Sequence, residues 1–128
     1  MVYEPKFYKC NRCDAILEAI TPQCCDELIC CGKGMELLKA NEMIALEEKH
    51  MPVVKREGNL LTVCVGRVLH PMSSEHSILW VEVKSKYSAH RVTLKKGDDP
   101  IAMFEIPENV PVTIYSYCNL HGLWKVSA

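Results

Sequence analysis

The sequence has no run approaching the roughly 18 consecutive apolar residues that a helical membrane span requires. Its opening stretch, Met1 to Cys10, is polar and aromatic, and lacks the basic segment and apolar run of an export leader. Neither sign of charge prevails: 15 Lys and Arg face 16 Asp and Glu, for a net charge of −1. A chain so balanced has no broad field with which to hold nucleic acid or an anionic membrane, so neither is expected as a partner. Internal repeats and low-complexity tracts are missing too. No helical pattern is long enough for the crossovers of a parallel sheet.

What the chain does have is cysteine. There are eight, and six fall between Cys10 and Cys31. All five histidines, His50, His70, His76, His90 and His121, come later. Without an export signal, so many cysteines favour metal thiolates over disulfides. The uneven placement predicts a thiolate-rich unit over 1–38 and a histidine-rich one over 39–128. The first is too short for a hydrophobic core of its own, since units below roughly 40 residues usually need a metal or a disulfide.

The periodicity is that of a mainly β protein. Glu4–Lys9 and Ala15–Ile20 read as short strands around a cysteine-containing turn, and Gly32 and Gly34 mark another. Residues 39–51 read as linker and loop, with a single helical turn in Asn41–Glu48. From Pro52 onward seven short strands follow: Pro52–Glu57 and Leu60–Val65 about a Gly58–Asn59 turn, then Ser77–Lys84, Tyr87–Leu94, Ile101–Ile106, Val110–Cys118 and Leu123–Val126. In Ser77–Lys84 the alternation places Leu79, Val81 and Val83 on one face and Trp80, Glu82 and Lys84 on the other. Seven short strands with turn signals between them predict an antiparallel β-sandwich. Cys64, inside the apolar run Leu60–Val65, reads as a buried free thiol.

Cys10-Asn11-Arg12-Cys13 is a knuckle that can curl two thiolates round one metal ion. Four-coordination needs a second pair, and both Cys24-Cys25 and Cys30-Cys31 are available. Cys30-Cys31 is preferred because Gly32 lets the backbone turn tightly beside a metal and Ile29 can anchor the pair in a strand. On spacing alone structural zinc ranks ahead of iron, and a thioredoxin-like redox motif is disfavoured by the missing βαβ context. Cys24 and Cys25 then read as unligated thiols.

The histidines make a second constellation. Glu48-Lys49-His50, His70-Pro71-Met72, His76 and Cys118-Asn119-Leu120-His121 all fall at predicted strand ends or loops, where they can converge at one edge of a sandwich. His90, within a strand pattern, reads as a solvent-face residue. Four neutral imidazoles favour ferrous iron and leave its charge largely uncancelled. A thiolate adds electron density and directs it toward the opposite coordination position. Zinc would supply no electron, so this donor set makes redox sense only with a redox-active metal. A two-histidine, one-carboxylate oxygenase face would leave Cys118 without a role.

Taken in order along nearly the whole chain, these pieces resemble the desulfoferrodoxins, the two-iron superoxide reductases. The resemblance rests on Cys10-x-x-Cys13, Cys30-Cys31-Gly32, Glu48-Lys49-His50 before Pro52-Val53, His70-Pro71-Met72, and His76 before Trp80. It continues through Gly97-Asp98 with Pro100, and Tyr117-Cys118-Asn119-Leu120-His121-Gly122 before Trp124-Lys125. It implies a rubredoxin- or desulforedoxin-like iron on Cys10, Cys13, Cys30 and Cys31, replacing zinc at that site. It implies a second iron with His50, His70, His76 and His121 in a plane and Cys118 axial, in an immunoglobulin-like sandwich. Reduction of superoxide to hydrogen peroxide without oxygen release, a rubredoxin-type electron donor, a homodimer and a cytoplasmic location follow from the same likeness. Lys49 would attract the anion and hold a proton-donating water, and Glu48 would close on the oxidised iron. Two departures stand out: Cys24-Cys25 in a spacer where the family pattern has no cysteine, and Lys33-Gly34 in place of an acidic residue and proline. The competing readings are a one-electron carrier with a closed second site and a structural zinc-ribbon module.

Overall fold

The computed structural model describes residues 5–21, 27–41, 51–66 and 71–128. The chain divides into two compact units, Met1–Lys39 and Ala40–Ala128. Every regular element among the described residues is a strand.

The first unit contains β1 (Lys6–Lys9), β2 (Ile16–Ala19), β3 (Ile29–Cys30), β4 (Lys33–Gly34) and β5 (Glu36–Leu37). β1 lies between β2 and β5 in an antiparallel sheet, while β3 and β4 form a separate two-residue hairpin. Among the described residues of this unit, Phe7 and Cys10 are the buried apolar side chains, very few for an independent core. Ile29 does lie in a strand beside Cys30, but its side chain is 68% exposed. The backbone pairing of β3, and not burial of Ile29, anchors this cysteine pair.

The described residues of the second unit form a sandwich of seven strands: β6 (Pro52–Glu57), β7 (Leu60–Val65), β8 (Ile78–Lys84), β9 (Ala89–Thr93), β10 (Ile101–Glu105), β11 (Thr113–Cys118) and β12 (Gly122–Ser127). One sheet has the order β10-β7-β6 and the other β12-β11-β8-β9, all neighbours antiparallel. Three strands over four, with the chain crossing between sheets after β7, β9 and β10, is immunoglobulin-like layering. Leu61, Val63 and Val65 meet Val81, Val83, Phe104 and Ile114 in the core between the sheets. The β6–β7 hairpin closes through Gly58, whose φ of +60° is the left-handed value a two-residue hairpin turn demands. β11 begins at Thr113 and not at Val110, because Val110 closes a turn onto Pro107 and Pro111 has no N–H to donate.

Two expectations about side-chain direction fail. Opposite β11, Trp80 pairs with Tyr117 but Ile78 pairs with Cys118, so Leu79 is an extra residue in a β-bulge. The bulge turns Leu79 outward, at 36% exposure, and brings Ile78 into the core beside Val81 and Val83. Cys64 is half-buried, because the period of two that sends Leu61, Val63 and Val65 inward sends Cys64 to the opposite face of β7. His90 is exposed on the edge strand β9, opposite Val83. The helical turn expected within Asn41–Glu48 falls outside the described residues from 42 onward. Asn41 itself pairs in parallel with Trp124, donating to the Leu123 carbonyl at 2.8 Å and accepting from Lys125 N–H at 3.1 Å.

Candidate metal centres

Cys10, Cys13, Cys30 and Cys31 come together with all four sulfurs within 4.8 Å of one another. The knuckle after β1 is closed by Asp14 N–H donating to the Cys10 carbonyl and by Cys10 N–H donating to Ala15, both at 2.9 Å. It requires a left-handed residue, and Asp14 supplies it at φ +63°. On the other side the tip of the β3–β4 hairpin holds Cys31 and Gly32 at φ +53° and +77°. Gly32 tolerates that value without strain, whereas Cys31 adopts it at a cost of order 1 kcal/mol or more. That bend lets adjacent cysteines both turn to one point.

The sulfur spacings suit a single metal ion. Cys13 Sγ lies 3.6 Å from Cys30 Sγ, which lies 4.0 Å from Cys31 Sγ. A tetrahedron of thiolates with metal–sulfur bonds of about 2.3 Å has edges of about 3.8 Å. The backbone N–H groups of Cys13 and then Arg12 point at Cys10 Sγ and bring its pKa down to about 6. The thiols of Cys10 and Cys13 hold Cys30 in its protonated form and push it up to about 12. Cys31 is raised as well, by Cys13 and then Cys10. The Cys10 thiolate thus forms readily, and Cys30 and Cys31 stay protonated until a cation compensates the added charge.

The second cluster consists of His76, Cys118 and His121, whose ligand atoms also lie within 4.8 Å of one another. Cys118 ends β11, and the turn that follows returns the chain into β12, so Cys118 and His121 sit at one sheet end. Cys118 Sγ is 3.8 Å from His121 Nδ1. The His76 and His121 rings meet edge to face, with centroids 4.9 Å apart. Cys118 is fully buried, His76 half-buried and His121 exposed, so the cluster grades from the core out to solvent. Burial raises the Cys118 thiol pKa, while the N–H groups of His121 and Leu120 act the other way by stabilising the thiolate. Two imidazoles and a buried thiolate that already accepts backbone N–H groups suit a transition-metal ion.

The loop carrying His76 is held from several sides. Ser73 N–H donates to the His76 carbonyl at 2.9 Å, and His76 N–H donates to Ser73 Oγ at 3.1 Å. Ile78 N–H donates to Met72 Sδ at 3.3 Å, and Gly97 N–H to the Met72 carbonyl at 3.1 Å. Met72 thus anchors the loop through both its sulfur and its carbonyl. Gly97, at φ +87°, belongs to the turn that Asp98 closes by accepting Lys95 N–H at 2.8 Å. Trp80 stacks on Tyr117 beside Cys118, with centroids 5.8 Å apart and planes 11° from parallel. Glu48, Lys49, His50 and His70 lie outside the described residues, as do Cys24 and Cys25. The sequence reading passed over Asn119, which lies between two candidate ligands and bonds to both neighbours of His76. Its only signal was that an Asn in a tight turn often bonds to backbone.

Comparison with known proteins fits this geometry. The desulfoferrodoxin family model matches residues 42–127. A desulfoferrodoxin from Syntrophotalea carbinolica is 41% identical over 125 residues, covering 98% of each chain. A desulfoferrodoxin homolog from Archaeoglobus fulgidus is 42% identical over 118 residues, 92% of this chain and 93% of that one. Among solved structures, the superoxide reductase from Treponema pallidum superposes with a TM-score of 0.81 at 28% identity, over 98% of this chain and 99% of that one. With a four-cysteine cluster ahead of a β-sandwich that gathers His76, Cys118 and His121 at one end, and with relatives alike over almost their whole length, the chain belongs to the desulfoferrodoxin family.

Proposed function

We propose that the protein is a superoxide reductase that converts superoxide, one electron and two protons to hydrogen peroxide without releasing oxygen. The observation that carries this is the convergence of His76, His121 and a fully buried Cys118 thiol at one sheet end. The Treponema pallidum relative, alike over nearly the full chain, supports the same substrate. Iron bound at this cluster would supply the electron. His50 and His70 complete the donor set with His76 and His121 as the imidazoles, and Cys118 is the thiolate. A second iron belongs to Cys10, Cys13, Cys30 and Cys31.

Burial raises the Cys118 thiol pKa, and the N–H groups of His121 and Leu120, which act the other way, would support its thiolate once a metal binds. The grading from buried Cys118 to exposed His121 supports approach of the anion from the solvent side. Neutral imidazoles leave the local positive charge uncancelled, and Lys49 adds to it. Lys49 draws superoxide in and orients a water that delivers a proton to the product. Glu48 closes over the site once peroxide has left. Electrons arrive from a rubredoxin-type donor, and the protein works as a homodimer in the cytoplasm.

Stopped-flow mixing of the reduced, iron-loaded protein with superoxide tests the proposal. Rapid colour formation with about one peroxide per superoxide and no excess oxygen is expected, since reduction differs from dismutation in that yield. A reaction no faster than superoxide's spontaneous decay would refute the reductase and leave a one-electron carrier.

A further inference from the structure

We propose that Asn119 is a positioning residue of the second centre, whose side-chain amide fixes His76 relative to Cys118. The inference rests on a metal binding at this cluster and not on superoxide being the substrate.

Asn119 Oδ1 accepts the N–H of Ser77 at 3.0 Å, and its Nδ2 donates to the carbonyl of Glu75 at 2.8 Å. Its backbone N–H also donates to the Ser77 carbonyl, at 3.2 Å. One side chain therefore grips the residues on both sides of His76. Asn119 is itself the residue after Cys118 and lies two before His121. The turn that bears two donors is thus joined through a half-buried carboxamide to the loop that bears a third. His76 and Cys118 are 42 residues apart in the sequence, so their relative position is set by contacts between segments. The Ser73 bonds fix the loop's internal shape, the pairing of Ile78 with Cys118 sets the strand register, and the Asn119 bonds tie the residues on both sides of His76 to the Cys118–His121 turn.

The chemistry explains the residue type. The grip needs one donor and one acceptor held at the spacing of a carboxamide. An ionised carboxylate accepts Ser77 N–H but has no hydrogen for Glu75, and an apolar side chain supplies neither. The consequence reaches the metal, because ligand orientation sets affinity and electronic character, and loss of such support typically weakens metal binding 10- to 100-fold.

The test uses the full-length protein with both centres loaded with iron, as parent, Asn119→Ala and Asn119→Asp. Three quantities are read: iron loss from the second centre to a chelator, the energy of its oxidised thiolate charge-transfer band, and its midpoint potential. The first centre's own colour serves as an internal reference. Asn119→Ala should lose iron about 10- to 100-fold faster, with a displaced band and potential. Asn119→Asp, which keeps the Ser77 contact, should fall between Ala and the parent. If Asn119→Ala does not fold, Asn119→Asp decides alone. Variants that melt earlier yet keep the parent's loss rate, band and potential would overturn the proposal, since a purely structural role predicts that pattern. A parent that shows no thiolate band at all would overturn the metal reading and this inference with it.

Discussion

Glu82 offers a sharp test of how the sandwich is held together. It sits on the outer face of β8, yet it is only 2% exposed. Its carboxylate lies 3.8 Å from Lys84 Nζ, whose side chain is 12% exposed, and 3.6 Å from the largely exposed Arg91. At that separation and an effective dielectric of about 20, the Glu82–Lys84 attraction is about 4 kcal/mol. Removing one member of a buried pair costs about 3–5 kcal/mol. The Arg91 contact, open to solvent, adds at most about 1 kcal/mol. Glu82→Gln keeps the shape and removes the charge, so a loss of about 3 kcal/mol is expected, or roughly 12–24 °C in Tm for a unit of this size. Glu82→Leu combined with Lys84→Met removes both charges together and should cost under about 1.5 kcal/mol, because apolar replacement of a buried pair is often near neutral. Both tryptophans, Trp80 and Trp124, lie in the second unit, so fluorescence-detected urea unfolding follows that unit alone. Metal loading must match across samples, because bound metal adds stability by mass action. A Glu82→Gln protein within about 0.5 kcal/mol of the parent, or a double variant weaker than the single, would refute the reasoning.

The four-cysteine site should bind metal more tightly as pH rises, because binding expels the protons that Cys30, at about 12, and Cys31 retain. Cys10, lowered to about 6, adds to the slope only below that pH. Between pH 6.5 and 8.5 the affinity for zinc, read by chelator competition, should therefore rise at least about 100-fold per unit, and a slope of less than one proton would contradict this. Cys118→Ser should abolish the thiolate band of the second centre and nearly all superoxide turnover, and persistence of the band would show that Cys118 is not the ligand. Lys49→Ala should slow association with superoxide at low salt and flatten its ionic-strength dependence, and an unchanged rate at low salt would remove Lys49 from that role.

Most strands were legible because local signals suffice for them. The hairpin Pro52–Glu57 and Leu60–Val65 follows from β-branched runs flanking a glycine that tolerates positive φ. The turn beside Cys31 was legible through Gly32, which tolerates positive φ. Side-chain direction was less so. Strict alternation assigned Leu79 to the core, but a bulge is a property of two strands, and the register against Tyr117 and Cys118 decides it. The same holds for Asn119, whose partners are more than 40 residues away.

The sequence by itself determined the β character and the placing of six cysteines ahead of all the histidines, because residue chemistry, spacing and period act over a few positions. Only the tertiary structure decided which face Ile78, Leu79 and Cys64 take, why Glu82 is buried, and how His76 is brought to Cys118. Those outcomes depend on strand register and on hydrogen bonds between distant segments, and packing the whole chain selects them.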